Sequence, residues 1–172
     1  RLTRGGPSMQ APRDWNTSLS IQSNASAQTR WSIGGAYGRD EVEGWSGSVN
    51  AEVSLVPAPR WQVSFIPSFE RQVDPRQYVT RMGGGTAATY GSRYIFGYTD
   101  RTTLALETRL NFTLQPDLNL ELYAQPFAAS GRYFDIGELA AAKGLDLRTY
   151  GTDGTTINRL PSGNLKVTDS AN

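Results

Sequence analysis

Few residues in this chain have the types and spacing that chemistry requires. Asp40, Glu41 and Glu43 cluster three carboxylates between two alternating stretches. Calcium takes several carboxylate and carbonyl oxygens, so the cluster is a candidate loop site for that ion, with a solvated acidic turn as the simpler reading. Asp135 and Glu138 resemble a glycosidase pair in type alone, because such pairs work at a spatial separation that sequence spacing does not supply. Glu107, Arg109 and Glu121 fall on one polar face and are expected to form cross-strand ion pairs. The alternative for these residues is the lining of a barrel lumen, where charge tunes permeation. Gly83-Gly84-Gly85 lacks the Lys and Ser/Thr of a phosphate loop and reads as a flexible tip.

The missing residue types restrict the chemistry further. The chain of 172 residues has no histidine and no cysteine. The usual zinc sites, Ser-His-Asp triads, Cys-His dyads and disulfides therefore cannot be built. Hydrolysis would have to run on carboxylates, Lys, Tyr or Ser alone, so no catalytic residue, cofactor or metal is expected. Seventeen basic and 16 acidic residues are scattered along the chain, for a net charge of +1. Without a basic patch, nothing points to nucleic acid or to an anionic membrane surface. No apolar run approaches the ~20 residues of a membrane-spanning helix. The chain opens on Arg1, which reads as a processed or incomplete end, so the lack of a signal segment does not argue for the cytoplasm.

Period-two alternation is the main structural signal. Trp15, Thr17, Leu19 and Ile21 oppose Asn16, Ser18, Ser20 and Gln22. Trp31, Ile33, Gly35 and Tyr37 oppose Arg30, Ser32 and Gly34. Trp45, Val49, Ala51, Val53 and Leu55 oppose Ser46, Ser48, Asn50, Glu52 and Ser54. Trp61, Val63 and Phe65 oppose Arg60, Gln62 and Ser64. Leu104, Leu106, Leu110, Phe112 and Leu114 oppose Thr103, Glu107, Arg109, Asn111 and Thr113. Leu118, Leu120 and Leu122 oppose Asn119, Glu121 and Tyr123. Successive strand side chains point to opposite faces, so each run has one apolar and one polar face. The tryptophans fall once per strand near its start, which places them alternately at opposite ends of an antiparallel sheet. Membrane barrels carry aromatics at both ends of an outward apolar band, whereas a soluble sandwich would bury these rings in its core.

Val56-Pro57-Ala58-Pro59-Arg60 and Gln115-Pro116-Asp117 are tight connections between antiparallel neighbours. If both lie on one side of the sheet, a very long hairpin joins them. It rises from Trp61 to about Arg81, is capped by Gly83-Gly84-Gly85, and returns from near Tyr90 to Leu114. Strands of this length exceed the usual 3–10 residues. Residues 1–134 are expected to form an antiparallel meander. Residues 135–172 are expected to be mostly loop, with a helical turn at Glu138 to Lys143 and a hairpin around Pro161-Ser162-Gly163.

The stretch from Leu110 through Gln115-Pro116-Asp117 to Tyr123-Ala124-Gln125-Pro126-Phe127 resembles the C-terminal region of a large bacterial family of unknown function. Arg4-Gly5-Gly6-Pro7, Tyr37-Gly38-Arg39-Asp40, Asp74-Pro75-Arg76-Gln77-Tyr78-Val79 and Arg93-Tyr94-Ile95-Phe96-Gly97 extend the resemblance over nearly the whole chain. Members pair an N-terminal carbohydrate-binding-like sandwich with a C-terminal outer-membrane-type barrel. The resemblance implies an all-β, up-and-down antiparallel meander forming part of such a barrel, with an open sheet or β-sandwich as the alternative. Glu107, Arg109, Asn111 and Glu121 would then face the interior, and Trp15, Trp31, Trp45, Trp61, Leu106, Phe112 and Leu120 would form the apolar, aromatic face. The sandwich and the family's final aromatic strand pair have no counterpart in this chain. About six or seven strands are also fewer than the eight a membrane barrel needs. The expected role is non-catalytic: anchoring, or passing a solute, for a glycan-related protein of the bacterial outer membrane. A periplasmic fragment that stabilises a larger membrane-protein assembly is the alternative. Lipid or other envelope subunits are the expected partners, with no nucleic acid and with any glycan bound by a domain outside this chain.

Overall fold

A computed structural model describes residues 3–24, 26–152 and 154–169, with residue 169 described by its backbone only. Alternating β-branched, aromatic and small polar residues favour pleated strands, and strands make up 70% of the chain against 2% helix. The elements are β1 (Asp14–Gln22), β2 (Thr29–Asp40), β3 (Trp45–Ala58), β4 (Trp61–Gly83), a 3-10 turn (Ala87–Thr89), β5 (Ser92–Gln115), β6 (Leu118–Ala124), β7 (Phe127–Leu139), β8 (Leu147–Thr149), β9 (Thr155–Arg159) and β10 (Leu165–Asp169). An antiparallel meander of eight strands runs β1-β2-β3-β4-β5-β7-β8, with β6 also paired to β5, and it does not close on itself. β9 and β10 form a separate hairpin whose turn uses Gly163 at φ 84°.

The long hairpin is present, with β4 at 23 residues and β5 at 24, uninterrupted at Asp100-Arg101. Beside β5, the returning strand is split into β6 and β7 by Pro126, which has no N–H to give the ladder. Its carbonyl still accepts a hydrogen bond from Leu106 N at 3.0 Å.

The chain divides into two compact units, and the division falls within β4 at Val73/Asp74 and within β5 at Asp100/Arg101. One unit comprises residues 14–73 and 101–131, that is β1, β2, β3, the first half of β4, the second half of β5, β6 and the start of β7. Its register is continuous across β1 to β3, so faces carry over from strand to strand. A register shift between Leu55 and Ala58 marks the proline turn into β4.

The other unit comprises residues 1–13, 74–100 and 132–172 and holds a conventional core. Tyr94, Phe96 and Leu139 are buried together, with Met9, Tyr78 and Leu147 packed around them. Tyr78 meets Phe96 edge to face at 5.9 Å. Arg76, also buried, donates to the carbonyls of Gln10 and Leu145, tying the N-terminal segment and the loop after β7 to β4. At Gly6 a Cβ would collide with the Tyr94 ring, so only glycine permits this close approach.

Where a helical turn is expected at Glu138 to Lys143, the structure has β7 continuing through Leu139, followed by turns. Pairing decides this: Gly137, Glu138 and Leu139 face Thr149, Arg148 and Leu147, and Leu139 is in the core. Tertiary pairing outweighs the helix propensity of the alanines.

Candidate functional site

The candidate site is one face of the sheet formed by β1 to β4, β5 and β6. Register places Trp15, Arg39 and Trp45 on that face, followed by Trp31, Val53 and Phe65. Trp61 and Phe112 join it through a ring contact of 4.1 Å, which assigns the even-numbered residues of β5 to the same side. Leu110 and Phe112 stand opposite Leu122 and Leu120. All four tryptophans, Leu106, Phe112 and Leu120 therefore share this face.

Along β2, much of β4 and Thr103 to Glu107 of β5 the burial is inverted, whereas β1 and β6 are exposed on both faces. On this apolar face Trp31 is 46% exposed, Val53 38% and Leu104 55%. On the reverse face Ser54 is 3% exposed and Ser64 8%. Arg30, Ser54 and Ser64 stand in register across three strands and are joined by hydrogen bonds of 3.5 and 3.3 Å. Glu107 keeps only 18% of its side chain exposed, although its strand neighbours Leu104 and Leu106 face outward. The core that the alternative, a sandwich, would need from Trp15, Trp31, Trp45 and Leu106 does not form: Trp15, Trp31 and Leu106 are exposed, and Trp45 is half-buried.

Six strands at ~4.8 Å spacing and about eight residues of ~3.3 Å give a planar area of roughly 750 Å². That exceeds the ~300–600 Å² of the largest apolar patch on a typical soluble monomer.

Rings gather at both ends of the face. At one end Trp15, Tyr37 and Trp45 lie in series, with centroids 5.6 and 6.3 Å apart, and the Arg71 guanidinium sits 5.4 Å over Trp45. Trp31, Trp61 and Phe112 stand toward the other end, where β2 and β4 begin. From Trp45 to Val53, which is level with Trp31, β3 covers about 26 Å along the strand. At the 35–45° tilt of barrel strands this corresponds to about 20 Å of depth, near the ~25 Å apolar band of such barrels.

On the polar face, Glu107 and Arg109 pair along β5 at 2.5 Å rather than across to Glu121. Register explains the difference, since Arg109 faces Tyr123 and Asn111 faces Glu121. Tyr123 lies 5.4 Å under the Arg109 guanidinium and donates to Gln125 at 2.7 Å. Asp40, from the acidic cluster, accepts from Val42 N at 2.9 Å and Gly44 N at 2.6 Å, so its carboxylate closes the turn. Among the described residues no group of three or more His, Cys, Asp or Glu is placed to hold a metal ion. Glu138 is held by Arg93 at 2.5 Å and Arg148 at 3.6 Å, while Asp135 sits at φ 47°. Beside that network Tyr150 is buried, and burial, reinforced by the Glu138 carboxylate, pushes its phenol up to about 12.

No helix among the described residues is long and apolar enough to cross a membrane, which does not bear on crossing by strands. No protein family, curated protein or solved structure matches the chain. Two residues of the site, Arg39 and Arg71, are not singled out by the sequence reading. Counting by twos from Tyr37 and Phe69 would have put both on the apolar face.

Proposed function

We propose that the sheet of β1 to β4, β5 and β6 is a wall segment of an outer-membrane-type β-barrel, its apolar face toward lipid and its polar face toward the interior. The carrying observation is the inverted burial, in which Ser54, Ser64 and Glu107 are shielded while Leu104, Val53 and Trp31 are open. In water this arrangement leaves the hydrophobic effect unused; against hydrocarbon it is the favourable orientation. The role is non-catalytic, anchoring a glycan-related envelope protein or passing a solute along the face that carries Glu107, Arg109, Asn111 and Glu121. The family resemblance supports this reading through the shared Gln115-Pro116-Asp117 turn and the strands that flank it.

A second reading keeps the same face but covers it with envelope protein subunits. The open sheet path favours it, because β1 ends that path and hydrocarbon does not tolerate an unpaired strand edge.

All four tryptophans lie on the apolar face, so their emission reports its surroundings. The full chain, refolded from urea into phosphatidylcholine vesicles, is expected to show blue-shifted emission that brominated acyl chains quench. Emission that stays solvent-like and insensitive to bromine would refute the lipid-facing wall and leave the subunit-covered sheet.

A further inference from the structure

Among the described residues, the sheet of residues 14–73 and 101–131 has two open edges. β1 pairs with β2 alone, and β6 pairs with β5 alone. All nine residues of β1 and all seven of β6 are exposed. β1 lacks the devices that keep an edge from pairing: no lysine, proline or bulge interrupts its register from Asp14 to Gln22.

The backbone groups of the two edges are in phase. Ser23 N donates to Trp31 O at 2.8 Å, and Leu106 N donates to Pro126 O at 3.0 Å. Hydrogen-bonded pairs alternate along an antiparallel ladder, so the odd residues of β1 and the even residues of β6 direct their backbone groups into the sheet. The outward donors and acceptors belong to Asn16, Ser18, Ser20 and Gln22 on β1, and to Asn119, Glu121 and Tyr123 on β6. All seven carry their side chains on the polar face, and opposed residues of a pair share a face. In a meander of six strands β1 and β6 also run in opposite directions. β1 of one copy therefore fits β6 of another as an antiparallel neighbour, with both apolar faces on the same side.

Register sets the level at which they meet. The row Arg30, Ser54, Ser64 reaches Arg109, counting from the Arg60–Thr113 hydrogen bond, and then Tyr123. The hairpins β1–β2, β3–β4 and β5–β6 are centred on Ala27, Pro59 and Pro116, which lie three, five and seven residues below that row. One residue of stagger per strand, at ~3.3 Å rise and ~4.8 Å spacing, is a tilt of about 35°, as in barrel strands. Continued into a second copy, this stagger sets Ser18 opposite Tyr123 and Ser20 opposite Glu121. On the apolar face it sets Leu19 against Leu122 and Ile21 against Leu120, which are 73, 53, 54 and 51% exposed in the single chain.

We infer that two copies of this chain join β1 to β6 at two equivalent seams and close a twelve-stranded barrel. This inference rests on the wall reading and names the partner that completes the wall. Six strands fall short of the eight a membrane barrel needs, whereas twelve, also an even number, suffice. Each seam adds about seven backbone hydrogen bonds, so two seams reach the ~10 ± 5 of a stable interface. Pairing β1 with a second β1 would leave both β6 edges open, which hydrocarbon does not tolerate.

The chain has no cysteine, so introduced thiols report the seam. Ser20→Cys and Glu121→Cys chains are mixed, refolded from urea into phosphatidylcholine vesicles and oxidised. The mixture is expected to give a disulfide-linked pair, and neither variant alone is expected to cross-link. In detergent micelles, light scattering is expected to give the unaltered chain a protein mass twice that of one copy. Ser18→Pro removes an outward N–H, leaves the β1–β2 ladder intact, and is expected to weaken the pair about tenfold. A single-copy mass and no cross-link, with tryptophan emission still quenched by brominated acyl chains, would overturn the pairing and leave the lipid-facing wall standing. Cross-linking of Ser20→Cys with itself would mean a β1–β1 contact and overturn the closed pair. A cross-linked mixture whose emission bromine does not quench would keep the seam and overturn the lipid-facing wall.

Discussion

Val49→Arg separates a lipid-facing surface from a water-facing one. Val49 is 51% exposed and stands between Gly35 on β2 and Phe69 on β4. Residues 45, 49 and 53 are evenly spaced along β3, with Trp45 at one aromatic level and Val53 opposite Trp31 at the other. Val49 is thus about 13 Å along the strand from either level, or about 10 Å in depth after tilting, which is near the middle of the apolar band. An arginine facing hydrocarbon there costs ~2–4 kcal/mol, a 30- to 900-fold loss in the folded-to-unfolded ratio at RT of ~0.59 kcal/mol. On a water-facing surface the same change stays within about 0.5 kcal/mol. Asn50→Arg, one residue along and on the reverse face, is the control and is expected to cost less than ~1 kcal/mol. The assay is reversible urea unfolding of the full chain in phosphatidylcholine vesicles, read by tryptophan emission. If Val49→Arg and Asn50→Arg cost the same, within ~0.5 kcal/mol, the apolar face does not meet lipid and the reasoning from inverted burial fails.

Trp45→Ala removes ring contacts with Tyr37 and Arg71 and is expected to lose ~1–2 kcal/mol in the same unfolding assay. Tyr150, outside the strands assigned to lipid, has its phenol pushed up to about 12 in the folded state against about 10 unfolded. Its contribution is fully present below pH 10 and is lost as pH rises toward 12, by up to ~2–3 kcal/mol. Tyrosinate absorbance compared between the unaltered chain and Tyr150→Phe measures it. Glu138→Gln removes the carboxylate that Arg93 and Arg148 share and is expected to cost ~1–3 kcal/mol and to lower the Tyr150 value, both readable in that titration. At Gly137 a Cβ would meet the Arg148 carbonyl oxygen at 2.6 Å, so Gly137→Ala should loosen the pairing of β7 with β8. Amide exchange at Leu147–Thr149 is expected to speed up.

Local rules made much of the sheet legible. Alternation located β1 to β6, and the two proline turns together with the glycine run fixed the ends of the long hairpin. What alternation cannot reveal is which face is shielded, because a period of two is symmetric between inside and outside. Leu104 and Glu107 are placed on opposite sides by counting, and only their exposures show that the leucine side is the open one. Register is the second hidden quantity. Arg39 and Arg71 look like scattered surface charges along the chain, and Arg71 sits in the polar stretch Glu70-Arg71-Gln72. Only the pairing of β2, β3 and β4 brings them to one rim. The same limit misplaced the partner of Arg109, which proved to be Glu107 on its own strand.

β5 carries both kinds of burial on one continuous backbone. From Ser92 to Gly97 its residues are buried or half-buried on both faces, and the sequence there is an unbroken apolar run, Tyr94-Ile95-Phe96, as a strand covered on both sides requires. From Thr103 to Leu114 the sequence alternates, and along Thr103 to Glu107 the leucines are the more exposed partners. The change comes at Asp100-Arg101, where Asp100 pairs with Arg132 at 3.4 Å and Arg101 donates to Gln72 at 2.7 Å. Inversion is therefore not imposed by the strand or the hairpin; it follows the residues, beginning where a charged pair interrupts the apolar pattern. A water-exposed sheet gains nothing by turning leucines outward only past such a boundary. The proposed lipid-facing wall needs such a switch, because outward leucines are favourable against hydrocarbon and not against water.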